Sequence, residues 1–133
     1  MARRVTPRGH RYRSGCSISR TLELVGDKWT LLIVRDLMWH EKHTFDALQN
    51  GAERIPSNIL AARLRRLVMW GLVRREQYQK RPARFEYHLT PAGRSLDTML
   101  REIMQWGHEH LGGGLLHSGH DEVASRDRRR TPR

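Results

Sequence analysis

Apolar residues recur at helical spacing in successive stretches, two β-branched and aromatic runs flank a basic turn, and Thr90-Pro91 opens a long amphipathic segment. These observations predict a mainly α (α+β) fold whose element order is that of a winged helix-turn-helix with helices added at both ends. A chain of 133 residues makes one such domain. Its composition divides into a disordered basic arm at 1–15, a folded domain at 16–114 and a mobile tail at 115–133.

The elements follow in order. Ser17 or Ser19 caps a short helix through Leu24, and after Gly26 a second helix runs from the capping Asp27 to about Trp39, with Trp29, Leu32, Ile33 and Leu37 on one stripe. Thr44 caps the next short helix, which Asn50-Gly51 ends. From Ser57 to Trp70, Leu60, Leu64 and Leu67 recur at i, i+4, i+7 and define the inward face, while Asn58, Ala61 and Arg65 lie away from it. Gly71 closes that helix, and LVRREQY and RFEYHL read as two strands joined by QKRPA. Thr90 and Pro91 supply a cap and an N1 proline for a final helix of about 20 residues, ended by Gly112–Gly114.

Charge separates the surface into two parts. There are 25 Lys and Arg against 14 Asp and Glu, a net +11. Residues 1–15 carry five Arg and no acid, and Arg54 to Arg84 carries nine basic residues against Glu76 alone. The rest of the body is net acidic, so the positive field is focused, as a polyanion-binding surface requires. A merely solvated charged face is the plainer alternative. No apolar run approaches the roughly 18 residues that span a bilayer, and the basic start lacks the apolar stretch of a secretory signal; a cytoplasmic protein with no membrane partner is expected. Cys16 is the one cysteine, which excludes an internal disulfide. No phosphate-cradling glycine loop, nucleophile elbow or paired-carboxylate pattern is present, so no catalytic residue, cofactor or enzyme activity is expected.

Three blocks, CSISRTLELVGDKWTLLIVRDL, IPSNILAARLRRLVMWGLV and YQKRPARFEYHLTPAG, occur in an order and spacing that resembles the HxlR-type transcriptional regulators, relatives of the MarR group. The resemblance covers Cys16 to about Leu111. It implies a homodimeric regulator of transcription, a repressor or an activator, bound to a palindrome in double-stranded DNA. On that reading Ser57, Asn58, Ala61 and Arg65 form the outer face of the recognition helix, Asn58 being the candidate for an adenine edge. Ser57 reads equally as a helix cap, and Arg63 reads as a partner of Asp36 or Glu53. Lys80, Arg81 and Arg84 sit at the wing, and Lys28 and Thr44 are candidate phosphate positioners, with capping and solubility as their alternative.

The resemblance also places a dimer interface on the first and last helices, with Leu22, Leu96, Met99, Leu100, Ile103 and Trp106 as candidates, some of them intrachain core. It aligns Cys16 with the cysteine through which some relatives sense oxidants or electrophiles. A place ahead of a helix N-terminus, near Arg13 and Arg20, favours the reactive thiolate, against the alternative of an inert structural cysteine. An oxidant or small-molecule effector is the matching expectation. Among eight histidines, His40-Glu41-Lys42-His43 is one residue short of zincin spacing, and no metal is expected. The competing functional readings are a sequence-indifferent basic nucleic-acid-binding protein and a dimerisation module whose basic face meets a protein.

Overall fold

The computed structural model describes residues 4–118 and 121–123. Helices α1 (Ser17–Val25), α2 (Thr30–Trp39), α3 (Phe45–Gln49) and α4 (Ser57–Met69) come first. Strands β1 (Val73–Gln79) and β2 (Arg84–Leu89) follow, then α5 (Pro91–Arg94), α6 (Asp97–His110) and the short strands β3 (Leu116–Ser118) and β4 (Asp121–Val123). This is the predicted winged helix-turn-helix: α3 and α4 form the motif, and the antiparallel β1–β2 hairpin is the wing.

Local chemistry sets the helix starts. Asp27 caps α2 from upstream, its Oδ2 accepting the N–H groups of Trp29 and Thr30 at 3.1 Å each and its Oδ1 accepting the Thr30 hydroxyl at 2.5 Å. Thr44 Oγ1 accepts the Ala47 N–H at 3.2 Å to start α3, and Thr90 Oγ1 accepts the Gly93 N–H at 3.1 Å to start α5. Pro56 occupies the N-cap position of α4, so Ser57 is not the cap but the first helical residue. Gly71, with φ +73°, ends α4 in the left-handed conformation and turns Leu72 and Val73 back into the core.

Leu60, Leu64 and Leu67 are fully buried beside Val34 of α2 and Val73 of β1. Each such burial is worth about 1.5 to 3 kcal/mol, which holds the inward face of α4 against the body. Helices α1 and α6 both pack on α2.

Three segments differ from the sequence expectation. Residues 4–15 form no helix or strand, yet they lie against the body and are not a disordered arm. The His10 ring sits edge-on to Trp70 (4.9 Å) and Tyr12 (4.8 Å), with its Nε2 3.2 Å from Glu23 Oε1. The Arg13 N–H donates to the other Glu23 oxygen at 3.1 Å. Two aromatic rings in an arginine-rich stretch thus find a surface at the end of α4, a long-range contact that composition conceals.

The closing helix is also not continuous. The Ser95 hydroxyl donates to the Ala92 carbonyl at 2.5 Å and the Leu96 N–H to the Gly93 carbonyl at 3.2 Å, which separates α5 from α6. Gly93 is buried so closely that a Cβ there would collide with the Leu72 carbonyl oxygen. Finally, part of the expected mobile tail is paired: β3 runs antiparallel to β4 with Leu116 opposite Val123, joined by a Gly-His pair in the sequence. Residues 1–3, 119–120 and 124–133 lie outside the described residues, among them His120 and the last arginines.

Candidate nucleic-acid interface

Thirteen residues in α4 make a rod of about 20 Å. Asn58 and Arg65 are exposed on its outer side, Ala61 is half-buried between them, and Ser57 is exposed in the first turn. The first intrahelical bond runs from the Leu60 N–H to the Pro56 carbonyl, and no side chain caps the helix. The N–H groups of Ser57, Asn58 and Ile59 are therefore left outward for an anion such as a phosphate.

The nine cations between Arg54 and Arg84 divide into two sets. Arg63 Nε donates to Asp27 Oδ2 at 2.8 Å, Arg74 pairs with Glu76, and the Arg75 guanidinium lies 3.6 Å from the Phe85 ring centroid. Arg54, Arg65, Arg66, Lys80, Arg81 and Arg84 have no side-chain partner among the described residues. Lys80, Arg81 and Arg84 are exposed around the turn of the wing, where strand register slips between Gln77 and Gln79.

Arg63 does not meet Asp36 or Glu53, because Arg35 already holds both. Its guanidinium reaches Asp36 Oδ1 at 3.0 Å and forks onto Glu53 at 2.6 and 2.9 Å. The hydrogen bond from Arg35 outweighs burial and holds the Glu53 carboxyl at about 2. At Asp27, burial works against ionisation, but hydrogen bonds from Thr30, Arg63 and the Trp29 amide prevail and bring it to about 2. These ion pairs brace α4 against α2 and the loop before it.

Lys28 is exposed at the start of α2 with its ammonium 4.8 Å over the Trp29 ring, and the Thr44 hydroxyl is engaged as a cap. The docked arm touches Trp70 at the C-terminal end of α4, the end opposite Ser57.

A family model described as an HxlR-like helix-turn-helix matches residues 24–113. The chain belongs to the HxlR family. An uncharacterized HTH-type transcriptional regulator of Mycobacterium tuberculosis is 43% identical over 107 residues, which are 80% of this chain and 66% of that protein. This chain thus matches just under two thirds of that relative's length. A protein of Porphyromonas gingivalis W83 assigned to the MarR family of transcriptional regulators superposes with a TM-score of 0.66 at 28% identity, covering 76% of this chain and 98% of that one. The redox regulator HypR in its oxidized form superposes with a TM-score of 0.61 at 29% identity, covering 71% and 97%.

In this HxlR protein Cys16 is exposed and occupies the N-cap of α1 without a side-chain capping bond. Its N–H donates to Ser14 Oγ at 3.1 Å, and neither Ser17 nor Ser19 caps the helix. Arg20 Nε donates to the Ser14 carbonyl at 3.0 Å, and its guanidinium rests 4.6 Å from the Tyr12 ring centroid.

The six interface candidates separate by exposure. Leu100 is buried in the core, one of those that are intrachain, and Leu96 and Met99 are partly buried against that core. Leu22 (55%), Ile103 (50%) and Trp106 (59%) remain open to solvent. Ile18 and Leu111, which are not among the six candidates, are more exposed still at 72% each. Ile18 and Leu22 are four apart on α1, and Ile103 and Trp106 three apart on α6; that spacing was the available signal for an outward stripe.

Proposed function

We propose that this HxlR protein is a cytoplasmic, homodimeric DNA-binding transcriptional regulator, a repressor, that reads a palindromic operator with one α4 per protomer in successive major grooves. The observation that carries this reading is the outer face of α4. An uncapped N-terminus, the short polar side chains of Ser57 and Asn58, and Arg65 are flanked by wing cations that have no side-chain partner among the described residues. The open stripes of α1 and α6 supply the apolar surface for a twofold contact, which would set the two half-sites about 34 Å apart. Lys28, Thr44, Lys80, Arg81 and Arg84 take phosphate roles, and Asn58 and Ala61 face base edges. No helix among the described residues is long and apolar enough to cross a membrane.

Binding-site selection followed by fluorescence anisotropy tests this. Asn58→Ala should cost about 1 to 3 kcal/mol on the selected operator, relax one base position and leave random duplex binding unchanged. Arg81→Ala should weaken both duplexes and reduce the salt slope by about one. Selection that returns no palindrome, with equal losses for both variants on both duplexes, favours the sequence-indifferent reading.

A second property rests on Cys16. Its exposure at the start of α1, beside the open stripe of Ile18 and Leu22, and the likeness to HypR support a thiol whose oxidation or alkylation alters operator binding. With one cysteine per chain, the modified forms are a mixed disulfide with a small thiol, an adduct with an electrophile, or a bond between the Cys16 residues of two protomers. Diamide or a quinone should shift operator affinity of the wild type and leave Cys16→Ser unaffected; an identical response of the two proteins refutes sensing at this thiol.

A further inference from the structure

The wing carries a cluster that strand register creates and sequence spacing hides. Glu76 of β1 stands directly opposite Glu86 of β2, and Arg74 opposite His88, so all four share one face of the hairpin. Like charges at opposed positions destabilise a strand pair. Arg74 engages Glu76 Oε1, which leaves Oε2 of the same carboxylate 3.8 Å from His88 Nε2. Glu86 Oε2 lies 3.0 Å from that nitrogen. One donor atom from each of Glu76, Glu86 and His88 lies within 4.8 Å of the others.

The imidazole in this set is held from behind. The His88 ring stacks on His43 at 4.4 Å with planes 22° apart. His43 is itself fixed to β2: its carbonyl accepts the Tyr87 N–H at 2.7 Å, and its Nδ1 lies 2.9 Å from the Tyr87 carbonyl. A carbonyl oxygen only accepts, so His43 Nδ1 carries the hydrogen of that bond. The stacked pair thereby presents His88 to the carboxylates on a backbone-anchored support, from the segment that leads into α3.

We propose that this face of the wing is a binding site for a divalent transition-metal cation of the zinc class, ligated by Glu76 Oε2, Glu86 Oε2 and His88 Nε2, with water completing the coordination. One imidazole nitrogen and two carboxylate oxygens suit a borderline cation better than magnesium or calcium, which prefer oxygen alone, or copper(I), which prefers sulfur. The half-exposed glutamates have room to close onto ligand distances of about 2.0 to 2.2 Å. The cation bridges the three groups, and its two charges cancel those of the opposed carboxylates. On the DNA-binding reading above, it removes the negative charge from a wing that otherwise meets phosphate with Lys80, Arg81 and Arg84.

The test uses the full chain without DNA, so its outcome is separate from that reading. Calorimetric titration with Zn²⁺ should show one micromolar site per chain, and Co²⁺ should give a visible absorption band on the same site. Glu86→Gln and His88→Gln should each lower the affinity at least about tenfold, with circular dichroism unchanged, whereas Cys16→Ser should leave it as it was. No binding at millimolar metal overturns the proposal. Binding that survives both ligand changes, as the histidines of residues 108–120 would give, overturns it equally.

Discussion

Replacing Ile103 and Trp106 together with glutamate should leave the chain monomeric and lower its operator affinity by about 100-fold or more. Both side chains stand half or more exposed on α6 and outside the buried core, so the change gives up only surface contacts such as that of Trp106 with His110, and circular dichroism should be preserved. What it removes is the apolar stripe that a second protomer would cover, and four like charges would be brought together across the twofold axis. A dimer gains its second half-site intramolecularly, at an effective concentration that multiplies affinity by about 10² to 10⁴. Sedimentation equilibrium reads the mass and fluorescence anisotropy reads the binding. A variant that remains dimeric and binds as the wild type does would move the interface to another surface.

Asp27→Ala should be the most costly single change outside the leucine core, at about 2 to 4 kcal/mol in urea unfolding. The carboxylate caps α2 through two N–H groups and the Thr30 hydroxyl, and the same Oδ2 accepts Arg63 from α4. Loss of a cap costs about 1 kcal/mol, and a half-buried arginine left without its partner adds the remainder. Asp27→Asn, which keeps a capping oxygen but no charge, should lose about half as much.

The same residue sets the acid limb of stability. Its folded carboxyl titrates at about 2 against an ordinary 3.8, and Glu53 at about 2 against 4.5. Both are depressed on folding, so their stabilisation is complete above the ordinary values and is lost as pH falls from about 4.5 to about 2. The urea midpoint should drop across that window in the wild type and drop less in Asp27→Asn; equal slopes would show that the Asp27–Arg63 pair does not govern acid sensitivity.

Which of these features a sequence reveals depends on how far apart the participants lie. Leu60, Leu64 and Leu67 announce the buried face of α4 because a helix repeats locally, and Thr44, Thr90 and Asp27 announce helix starts because a cap reaches only three residues. The same periodicity exposes Asn58 and Arg65. Arg63 meets Asp27, 36 positions away, while Arg35 holds Asp36 and Glu53, and local spacing does not say which arginine takes which acid. Similarly, Leu100 shares the apolar period of Ile103, and only the way α6 lies on α2 makes one core and the other surface. The break at Ser95, the docking of His10 on Trp70, and the meeting of Glu76, Glu86 and His88 across the ladder each need a partner that local pattern does not name.

One property of α4 bears on how such a protein changes over generations. Its attachment to the body rests chiefly on Leu60, Leu64, Leu67 and the Arg63–Asp27 pair, with Ile59 and Trp70 beside them, and Asn58 and Arg65 take no part in it. On the DNA-binding reading proposed above, substitutions at the exposed positions 58 and 65 would therefore alter which bases are favoured while the scaffold's folding free energy stays nearly constant. On that reading, duplicated copies of this chain would acquire new operators one residue at a time, without passing through an unfolded ancestor.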